Sequence, residues 1–355
     1  MQLSSFTGLR IDGISACVPA YEIDNREFGK ELYGDGLEGL IRAVGVEKRH
    51  VCREKNLTSL DLSVRAAEKL FEESKIPREE IGAVIFITLT PDSLMPNNAT
   101  YAQHLLKLNS EVSAFDVNHA CSGYVYGLWI SSMVATTLKK KVLLLDGDTN
   151  SYYVSPYDKS TAILFGDAGS ATIISPDEQS DRRWYFTFHT DGSHRNVLTI
   201  PGLGFRNLLT EDSLEYKLYD DGSRRRLIDM TMDGQAVFGY VVQSVPKILQ
   251  NFLEITETDI SELDYLVLHQ ANAFMLRQLA RKIKFPLENM PISMNKYGNT
   301  SSTSIPLNIC SELSNVVKSK ETKRILTAGF GAGLSTAAGI IDIGDCACPG
   351  VVIYE

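Results

Sequence analysis

Residues 116–132, D-V-N-H-A-C-S-G-Y-V-Y-G-L-W-I-S-S, end a short apolar strand and begin a helix that is apolar almost all round. Cys121 lies at the turn between the two elements. Unpaired backbone N–H groups and the positive end of the helix dipole favour a thiolate at such a turn. Ser122 and Gly123 leave room for an incoming chain. The pattern predicts a nucleophilic cysteine, although a cysteine before a buried helix can also simply fill space.

Two polar motifs much later in the chain complete a set of reacting groups. D-Y-L-V-L (264–268) predicts a strand that delivers His269 at its carboxyl end, where reacting groups collect in α/β sheets. Asn299 lies in Y-G-N-T-S (297–301), which indicates a tight loop before a helix, and plain helix capping is the alternative interpretation. A thiol, an imidazole and a carboxamide together indicate acyl transfer.

Composition narrows the classes of protein. The chain has 355 residues, 44% of them apolar, and a formal net charge of −9, which argues against nucleic acid as the main partner. No segment approaches the length of a membrane span, and residues 1–10 do not resemble a signal peptide. Six scattered cysteines suit a reducing, cytoplasmic compartment. Cys346 and Cys348 form a C-x-C without a second ligand pair, so no metal site is predicted.

Hydrophobic periodicity gives the order of elements along the chain. A long amphipathic stretch is predicted over 233–254 and a helix over 303–318. Strands are predicted over 141–148 and 335–343. The polar segment 204–228 is expected to be a variable cap over the entrance of an active site.

Eight motifs resemble the β-ketoacyl-acyl carrier protein synthase III family of the thiolase superfamily in both order and approximate spacing. They are G-I-S-A-C-V-P (13–19), G-V-E-K-R-H (45–50), F-D-V-N-H-A-C-S-G (115–123), I-L-F-G-D-A-G-S-A (163–171), M-D-G-Q-A-V-F (232–238), H-Q-A-N (269–272), G-N-T-S (298–301) and G-F-G-A-G-L-S (329–335). The resemblance implies an α/β protein with the duplicated thiolase-like fold, five-layered α-β-α-β-α. It also implies an N-terminal half (1–180) that carries the nucleophile and a C-terminal half (181–355) that carries the histidine and the asparagine.

By this resemblance, Cys121, His269 and Asn299 correspond to the catalytic Cys-His-Asn set of the family. Cys121 accepts an acyl group from a thioester, and His269 and Asn299 stabilise the enolate that a malonyl thioester leaves when it loses carbon dioxide. The backbone N–H groups of Cys121 and Ala332 are the expected oxyanion hole. No metal or redox cofactor is expected, because decarboxylation supplies the carbanion.

The resemblance implies further substrate-binding or carrier-binding positions. They are Met95, Lys159, Gly234, Phe238, Asn272, Arg281, Lys282 and Phe330. Met95 falls where the family bounds its acyl pocket, often from the partner subunit, and ordinary interface packing is an equal alternative. Arg281 and Lys282, together with Arg277, fall on a helix where the family presents positive charge to its carrier protein.

Other positions depart from the coenzyme A clamp of the family. Gly39 and Ala43 stand where the family often has a tryptophan that stacks on adenine and a nearby arginine. Lys159 and Phe274 replace two further arginines. These changes predict a carrier-bound acyl donor, an atypical mode of coenzyme A binding or a specialised pathway. The arginine run 224–226 is interpreted either as solvated surface or as a contact for an acidic carrier protein.

Three functions remain open from the sequence. The leading one is a homodimeric condensing enzyme that uses coenzyme A or acyl carrier protein thioesters and binds neither nucleic acid nor membrane. The second is an acyltransferase of the same fold that passes the acyl group from Cys121 to an amine or hydroxyl, with His269 as general base. The third is a non-catalytic subunit of a heterodimeric synthase, against which the presence of all three polar groups argues.

Overall fold

The computed structural model describes residues 2–53 and 56–355. The strands are β1 (Leu3–Thr7), β2 (Leu9–Pro19), β3 (Glu22–Asp24), β4 (Lys48–His50), β5 (Ile81–Ile87), β6 (Ser113–Val117), β7 (Lys141–Asp148), β8 (Ala168–Pro176), β9 (Arg183–Thr190), β10 (Leu198–Thr199), β11 (Lys217–Leu218), β12 (Arg224–Arg225), β13 (Thr231–Met232), β14 (Tyr265–Leu268), β15 (Lys323–Gly331), β16 (Ser335–Ile343) and β17 (Val351–Tyr354). The helices are α1 (Asn25–Phe28), α2 (Lys30–Tyr33), α3 (Leu37–Val44), α4 (Ser59–Ser74), α5 (Asn98–Leu105), α6 (Gly123–Leu138), α7 (Gly234–Gln243), α8 (Val245–Ile255), α9 (Ala273–Lys282), α10 (Met294–Tyr297), α11 (Ser304–Glu312) and α12 (Ser314–Val317).

Two large sheets share one strand pattern. The first has the order β17-β2-β8-β7-β5-β6 and the second has the order β1-β9-β16-β15-β14. In the first, β2 and β8 are antiparallel, β8 and β7 are antiparallel, and β7 and β5 are parallel. The series β9, β16, β15 and β14 repeats these orientations in the second sheet. The same arrangement of four strands therefore occurs twice, as the predicted duplicated fold requires.

Alternation along the strands of the first sheet separates two layers of core. Ala83, Ile85 and Ile87 of β5 belong to a central hydrophobic cluster, whereas Val84 and Phe86 point to the opposite face and pack in an outer cluster. Helices α6 and α11 fill the central cluster, and α4 and α5 cover the outer face. Such alternation follows from the two-residue period of a strand whose two faces are both buried.

The second sheet is covered in the same way. Ile325 of β15 faces the central cluster, while Leu326 and Ala328 face a third cluster beneath α3, α7, α8 and α9. The layers therefore follow one another as helices, sheet, helices, sheet, helices, which confirms the predicted five-layered fold. Helices α6 and α11 are apolar on most faces because sheets lie on both sides of them.

The ends of the chain cross between the two sheets. Strand β1 pairs with β9 in the second sheet, and β17 pairs with β2 in the first. The division of the chain into halves at residue 180 stays a prediction. Within residues 2–53 and 56–355, no helix combines the length and apolar character that a membrane crossing requires.

Most predicted elements occur, and two predicted stretches are divided. Strands β7 and β16 have the predicted bounds. The amphipathic stretch 233–254 forms two helices, α7 and α8, because Pro246 lacks a backbone N–H and lies in the first turn of α8. The predicted helix 303–318 is interrupted at Leu313, between α11 and α12.

Candidate active site

Cys121 lies in the turn between β6 and α6, against the end of β15. The backbone N–H groups of Cys121 and Ala332 both interact with its thiol, as expected for the two donors of an oxyanion hole. A Cβ added at Gly331 would come within 2.6 Å of the Cys121 sulfur, and one added at Gly329 would come within 2.5 Å of the Cys121 carbonyl oxygen. Glycine is therefore required where β15 passes the cysteine.

The protonation state of Cys121 differs from the sequence-based expectation. Burial raises the pKa of the Cys121 thiol to about 11, and the N–H of Ala332 only partly opposes this effect. The prediction that the helix terminus favours a thiolate is therefore wrong for the free site. Loss of water around the sulfur outweighs the hydrogen bonds from the backbone N–H groups of Ala332 and Cys121 and from the side chain of Ser301.

His269 follows β14 directly and is buried. Its Nδ1 lies 3.0 Å from the carbonyl oxygen of Ser301 and 2.8 Å from the hydroxyl oxygen of Ser304. Burial lowers the pKa of His269 to about 4, so the ring is neutral at neutral pH. Because Nδ1 faces one acceptor and one hydroxyl, Nε2 is the ring nitrogen left for a ligand.

Asn299 is held by its backbone and by its side-chain oxygen. Its N–H donates to the Leu164 carbonyl at 2.8 Å, and its own carbonyl accepts from the N–H of Gly166 at 3.1 Å. The side-chain Oδ1 accepts a hydrogen bond of 3.0 Å from the N–H of Ser301. The amide group Nδ2 is consequently the part of the side chain that can donate to a ligand.

One cavity of about 220 Å³ brings the three predicted catalytic residues together. Cys121, His269 and Asn299 line it, with Phe330, whose ring meets His269 edge-to-face at 5.8 Å. The remaining lining is mostly apolar and comes from α3, α7, α9, the segment 159–165 and the short strands β10 and β13. The cavity can therefore hold a narrow, extended group with its reactive end at Cys121.

Several other predicted binding residues line the same cavity. Lys159, Gly234 and Asn272 do so. Lys159 Nζ donates to the carbonyl oxygen of Asp221 at 3.3 Å. Asn272 caps α9, since its Oδ1 accepts from the N–H groups of Phe274 and Met275 at 2.9 and 3.2 Å. Its side-chain oxygen therefore has a structural role as well.

The departures from the coenzyme A clamp lie close to the cavity. Leu40 and Val44 of α3 line it, whereas Gly39 and Ala43 of the same helix are exposed. A Cβ added at Gly39 would meet no atom within 4 Å. This stretch of α3 therefore presents no aromatic platform.

Phe238 and Phe274 form a partly exposed aromatic pair between α7 and α9. Their rings stack with centroids 6.1 Å apart and planes 14° from parallel. The side chain of Phe238 lies outside the lining of the cavity, although its helix contributes to that lining. The pair adds apolar surface beside the helices that enclose the cavity.

Three predicted residues lie away from the cavity. Met95 is 85% exposed in the loop before α5, so Met95 can bound an acyl pocket only in a second subunit.

Arg281 and Lys282 are exposed in the last turn of α9. Lys282 Nζ donates to the carbonyl of Val242 at 2.7 Å, and no carboxylate in the described part of the chain forms an ion pair with Arg281.

The arginine run 224–226 fastens the segment 204–228 to residues outside it. Arg225 forms an ion pair of 2.8 Å with Asp158, whose side chain is fully buried, and Arg226 pairs with the equally buried Asp229 at 2.7 Å. Arg224 lies 4.0 Å above the ring of Tyr157. The interpretation of the run as solvated surface is therefore wrong for Arg225 and Arg226, because these two side chains act inside the fold.

Sequence reasoning missed Ser301, Ser304, Asp148 and Asn150. Ser301 interacts through its side chain with both the Cys121 thiol and the Asp148 carboxylate. Burial raises the pKa of Asp148 to about 6, against hydrogen bonds from Ser301 and Leu89. The hydroxyl run T-S-S-T-S (300–304) was a visible signal, but it indicated only a helix-capping loop.

Two protein-family matches cover the parts of the chain that carry the candidate catalytic residues. The chain matches 3-oxoacyl-[acyl-carrier-protein (ACP)] synthase III over residues 115–192, and the C-terminal region of that family over residues 253–343. The first match contains Cys121, and the second contains His269 and Asn299.

Relatives are similar over almost the whole length. The chain is 31% identical over 357 residues to a putative 3-oxoacyl-[acyl-carrier-protein] synthase 3 of Campylobacter jejuni, with 98% of each chain covered. It is 32% identical over 340 residues to the β-ketoacyl-[acyl-carrier-protein] synthase III of Streptococcus gordonii, with 94% of this chain and 99% of the relative covered.

Solved structures agree in fold. A 3-oxoacyl-(acyl-carrier protein) synthase from Burkholderia xenovorans LB400 superimposes with a TM-score of 0.91 at 32% identity, covering 99% of both chains. A 3-oxoacyl-(acyl carrier protein) synthase III from Pseudomonas aeruginosa PAO1 superimposes with a TM-score of 0.82 at 26% identity, covering 96% of this chain and 99% of the other. The chain therefore belongs to the 3-oxoacyl-[acyl-carrier-protein] synthase III family, a family of condensing enzymes with the thiolase fold.

Proposed function

We propose that this chain catalyses a decarboxylative Claisen condensation in which Cys121 carries the acyl group and His269 and Asn299 stabilise the enolate. The observation that carries this proposal is the pair of hydrogen bonds that occupy Nδ1 of His269 and Oδ1 of Asn299. The hydroxyl of Ser304 lies at Nδ1 of His269, and the N–H of Ser301 binds Oδ1 of Asn299. His269 Nε2 and Asn299 Nδ2 are thereby left for one ligand in the cavity that also contains Cys121.

In the first half-reaction the sulfur of Cys121 attacks the carbonyl carbon of an acyl thioester. The thiol proton passes to solvent, while His269 stays neutral with its proton on Nε2, because burial lowers its pKa to about 4. The N–H groups of Cys121 and Ala332 receive the oxyanion. The carbon–sulfur bond of the donor breaks, and the leaving thiolate takes a proton from solvent.

In the second half-reaction a malonyl thioester occupies the same cavity. Its carbon–carbon bond to the carboxylate breaks, carbon dioxide leaves, and the electron pair remains as an enolate. Nε2–H of His269 and Nδ2–H of Asn299 donate to the enolate oxygen. The enolate carbon attacks the acyl group, the β-ketoacyl thioester departs, and the Cys121 thiolate recovers a proton from solvent.

The acyl donor arrives on a carrier protein. Gly39 and Ala43 leave α3 without the side chains that would hold adenine. On α9, Arg277 and Arg281 are exposed on one face and form no ion pair with any carboxylate in 2–53 and 56–355. Free guanidinium groups on α9, a helix that also lines the cavity through Met275, suit the acidic surface of a carrier protein. The same loading reaction on coenzyme A and carrier-bound forms of one acyl group measures this preference.

The working form is a cytoplasmic homodimer. Leu94 and Met95 are 82% and 85% exposed on the single chain, which leaves apolar surface for a second copy. All six cysteines are free and buried, which fits a reducing compartment. Light scattering after gel filtration measures the mass, and a Met95→Glu variant is expected to weaken the dimer.

Intact-protein mass spectrometry tests the central proposal. The protein is offered acyl-coenzyme A and acyl-carrier thioesters, and malonyl-carrier protein is then added. We expect an adduct that Cys121→Ser lacks and that malonyl thioester discharges with release of carbon dioxide. An adduct that only an amine or hydroxyl acceptor discharges would favour the acyltransferase function. Absence of an adduct with every donor would contradict the proposed chemistry.

A further inference from the structure

A second cavity, of about 230 Å³, lies on another side of Cys121. The residues that line it include Cys121 and Ala332, so it adjoins the sulfur and the proposed oxyanion hole. Most of the other lining side chains are apolar: Leu89, Phe165, Leu198, Ile200 and Met230. This inference rests on the proposed function. The acyl chain on Cys121 then occupies the second cavity, while the first cavity holds the thiol-bearing part of the thioester donor.

Asn150 is one of three polar side chains in this lining, beside Thr199 and Ser301. It is 1% exposed, and its Oδ1 has no hydrogen-bond partner among the described residues. The hydroxyl of Ser301, another polar group of the lining, is already engaged by Cys121 and Asp148. Asn150 is therefore a residue of the cavity lining whose side-chain oxygen has no partner in the described part of the chain.

The position of Asn150 is held firmly by its neighbours. It follows β7 and begins a short 3-10 turn, Asn150–Tyr153. Just before it, the N–H of Thr149 donates to the hydroxyl of Thr90 at 3.0 Å. Asp148 accepts from the N–H of Leu89 at 2.7 Å. These bonds tie the end of β7 to the segment after β5, so the backbone that carries the Asn150 side chain is held in place.

An unpaired buried amide is unfavourable, and a leucine of similar size would fill an apolar wall without that cost. We infer that the acyl group accepted by Cys121 carries a hydroxyl group that hydrogen-bonds to the side chain of Asn150. A hydroxyl can donate to Oδ1 and accept from Nδ2, so it completes the pairing in either orientation of the amide. A site of this kind discriminates against the analogue that lacks the hydroxyl.

Competition between matched acyl donors tests this inference. Butyryl and 3-hydroxybutyryl thioesters, and hexanoyl and 3-hydroxyhexanoyl thioesters, are mixed in equal amounts, and the two Cys121 adducts are separated by mass. We expect the hydroxylated member of at least one pair to load about tenfold faster, the factor that one net hydrogen bond contributes. In Asn150→Leu the preference should reverse in favour of the plain acyl group.

A second variant assigns the preference to one side chain. Thr199→Val removes the other side-chain hydroxyl of the lining. If the preference disappears in Thr199→Val and persists in Asn150→Leu, the assignment to Asn150 is overturned. Equal loading of both members of every pair by the unmodified protein overturns the inference while leaving the condensing function intact, and it does so even if a variant fails to fold. Failure of all donors to load overturns the proposed function and this inference together.

Discussion

Oδ1 of Asn299 accepts a hydrogen bond of 3.0 Å from the backbone N–H of Ser301. The carbonyl of Ser301 lies at the same distance from Nδ1 of His269. Ser301 has a φ of +55°, a left-handed conformation that presents its two backbone groups to these two side chains. One residue thus contacts both candidate donors and links two segments that lie 30 positions apart in the chain.

Removal of the Asn299 donor should separate the two half-reactions. In Asn299→Asp the side chain keeps its acceptor for Ser301 but loses the Nδ2 donor. We expect acyl loading of Cys121 to persist and condensation to fall about 100-fold or more, as for loss of one oxyanion donor. Adduct mass and carbon dioxide release from a malonyl thioester measure the two steps. Parallel loss of both steps would show that Asn299 does not act on the enolate alone.

Cys121 should react as an ordinary protonated thiol in the free protein. Because burial raises its pKa to about 11, the thiolate fraction increases with pH throughout the neutral range. We expect the rate of alkylation by iodoacetamide to rise about tenfold per pH unit between pH 6 and 9. A plateau near pH 7 would reveal a thiolate already formed and would refute this account.

Ser304 should set which nitrogen of His269 carries the proton. Its hydroxyl lies 2.8 Å from Nδ1 and accepts the N–H of Gln270 at 3.1 Å. In Ser304→Ala only the Ser301 carbonyl remains at Nδ1, so the proton is held there and Nε2 becomes an acceptor. Decarboxylation should fall about tenfold to 100-fold more than acyl loading.

The free energy of unfolding provides the control for the Ser304→Ala variant. The substitution leaves the N–H of Gln270 without its partner, and we expect a cost of about 1–2 kcal/mol in the free energy of unfolding. Denaturant titration measures this cost separately from the rates. An equal loss in both half-reactions, at unchanged affinity, would assign Ser304 a structural role only.

Gly331 should tolerate no side chain. The Cβ of Gly331→Ala would lie 2.6 Å from the sulfur and 2.8 Å from the Cβ of Cys121, so the cysteine must turn from its position. We expect acyl loading to fall about 100-fold, since misplacement of a reacting atom by about 1 Å has this effect. Gly239→Ala in α7 is the matched control, because its added Cβ meets no atom within 4 Å. That control should load normally and be more stable by about 0.5–1 kcal/mol.

An aromatic side chain at Gly39 should create coenzyme A binding. The position is exposed and open, so Gly39→Trp provides a stacking surface without a clash. We expect KM for an acyl-coenzyme A donor to fall about tenfold, within the range of base stacking on an aromatic side chain. KM for the same acyl group on a carrier protein should stay unchanged. A KM for acyl-coenzyme A that is already as low in the unmodified protein would contradict a carrier-bound donor.

The sequence pattern predicted the structure correctly where residues close together in the chain decide it. Strand β16 has the predicted bounds because residues 337–341, A-A-G-I-I, form an apolar run and a turn precedes the strand. Cys121 was recognised because strand, turn and helix lie within 17 consecutive residues, 116–132. Pro246 divides the predicted stretch 233–254, which the amphipathic pattern alone did not reveal.

The sequence by itself determined the α/β layers, the turn that carries Cys121 and the strand that ends at His269, because each depends on residues close together in the chain. Only the tertiary structure decided how those groups behave. The pKa of Cys121 follows from burial by β15, more than 200 residues later. The donors on His269 and Asn299 follow from Ser304 and Ser301, and the unpaired amide oxygen of Asn150 follows from the packing around it. Burial and long-range hydrogen bonds arise from packing, so no local pattern of residues encodes them.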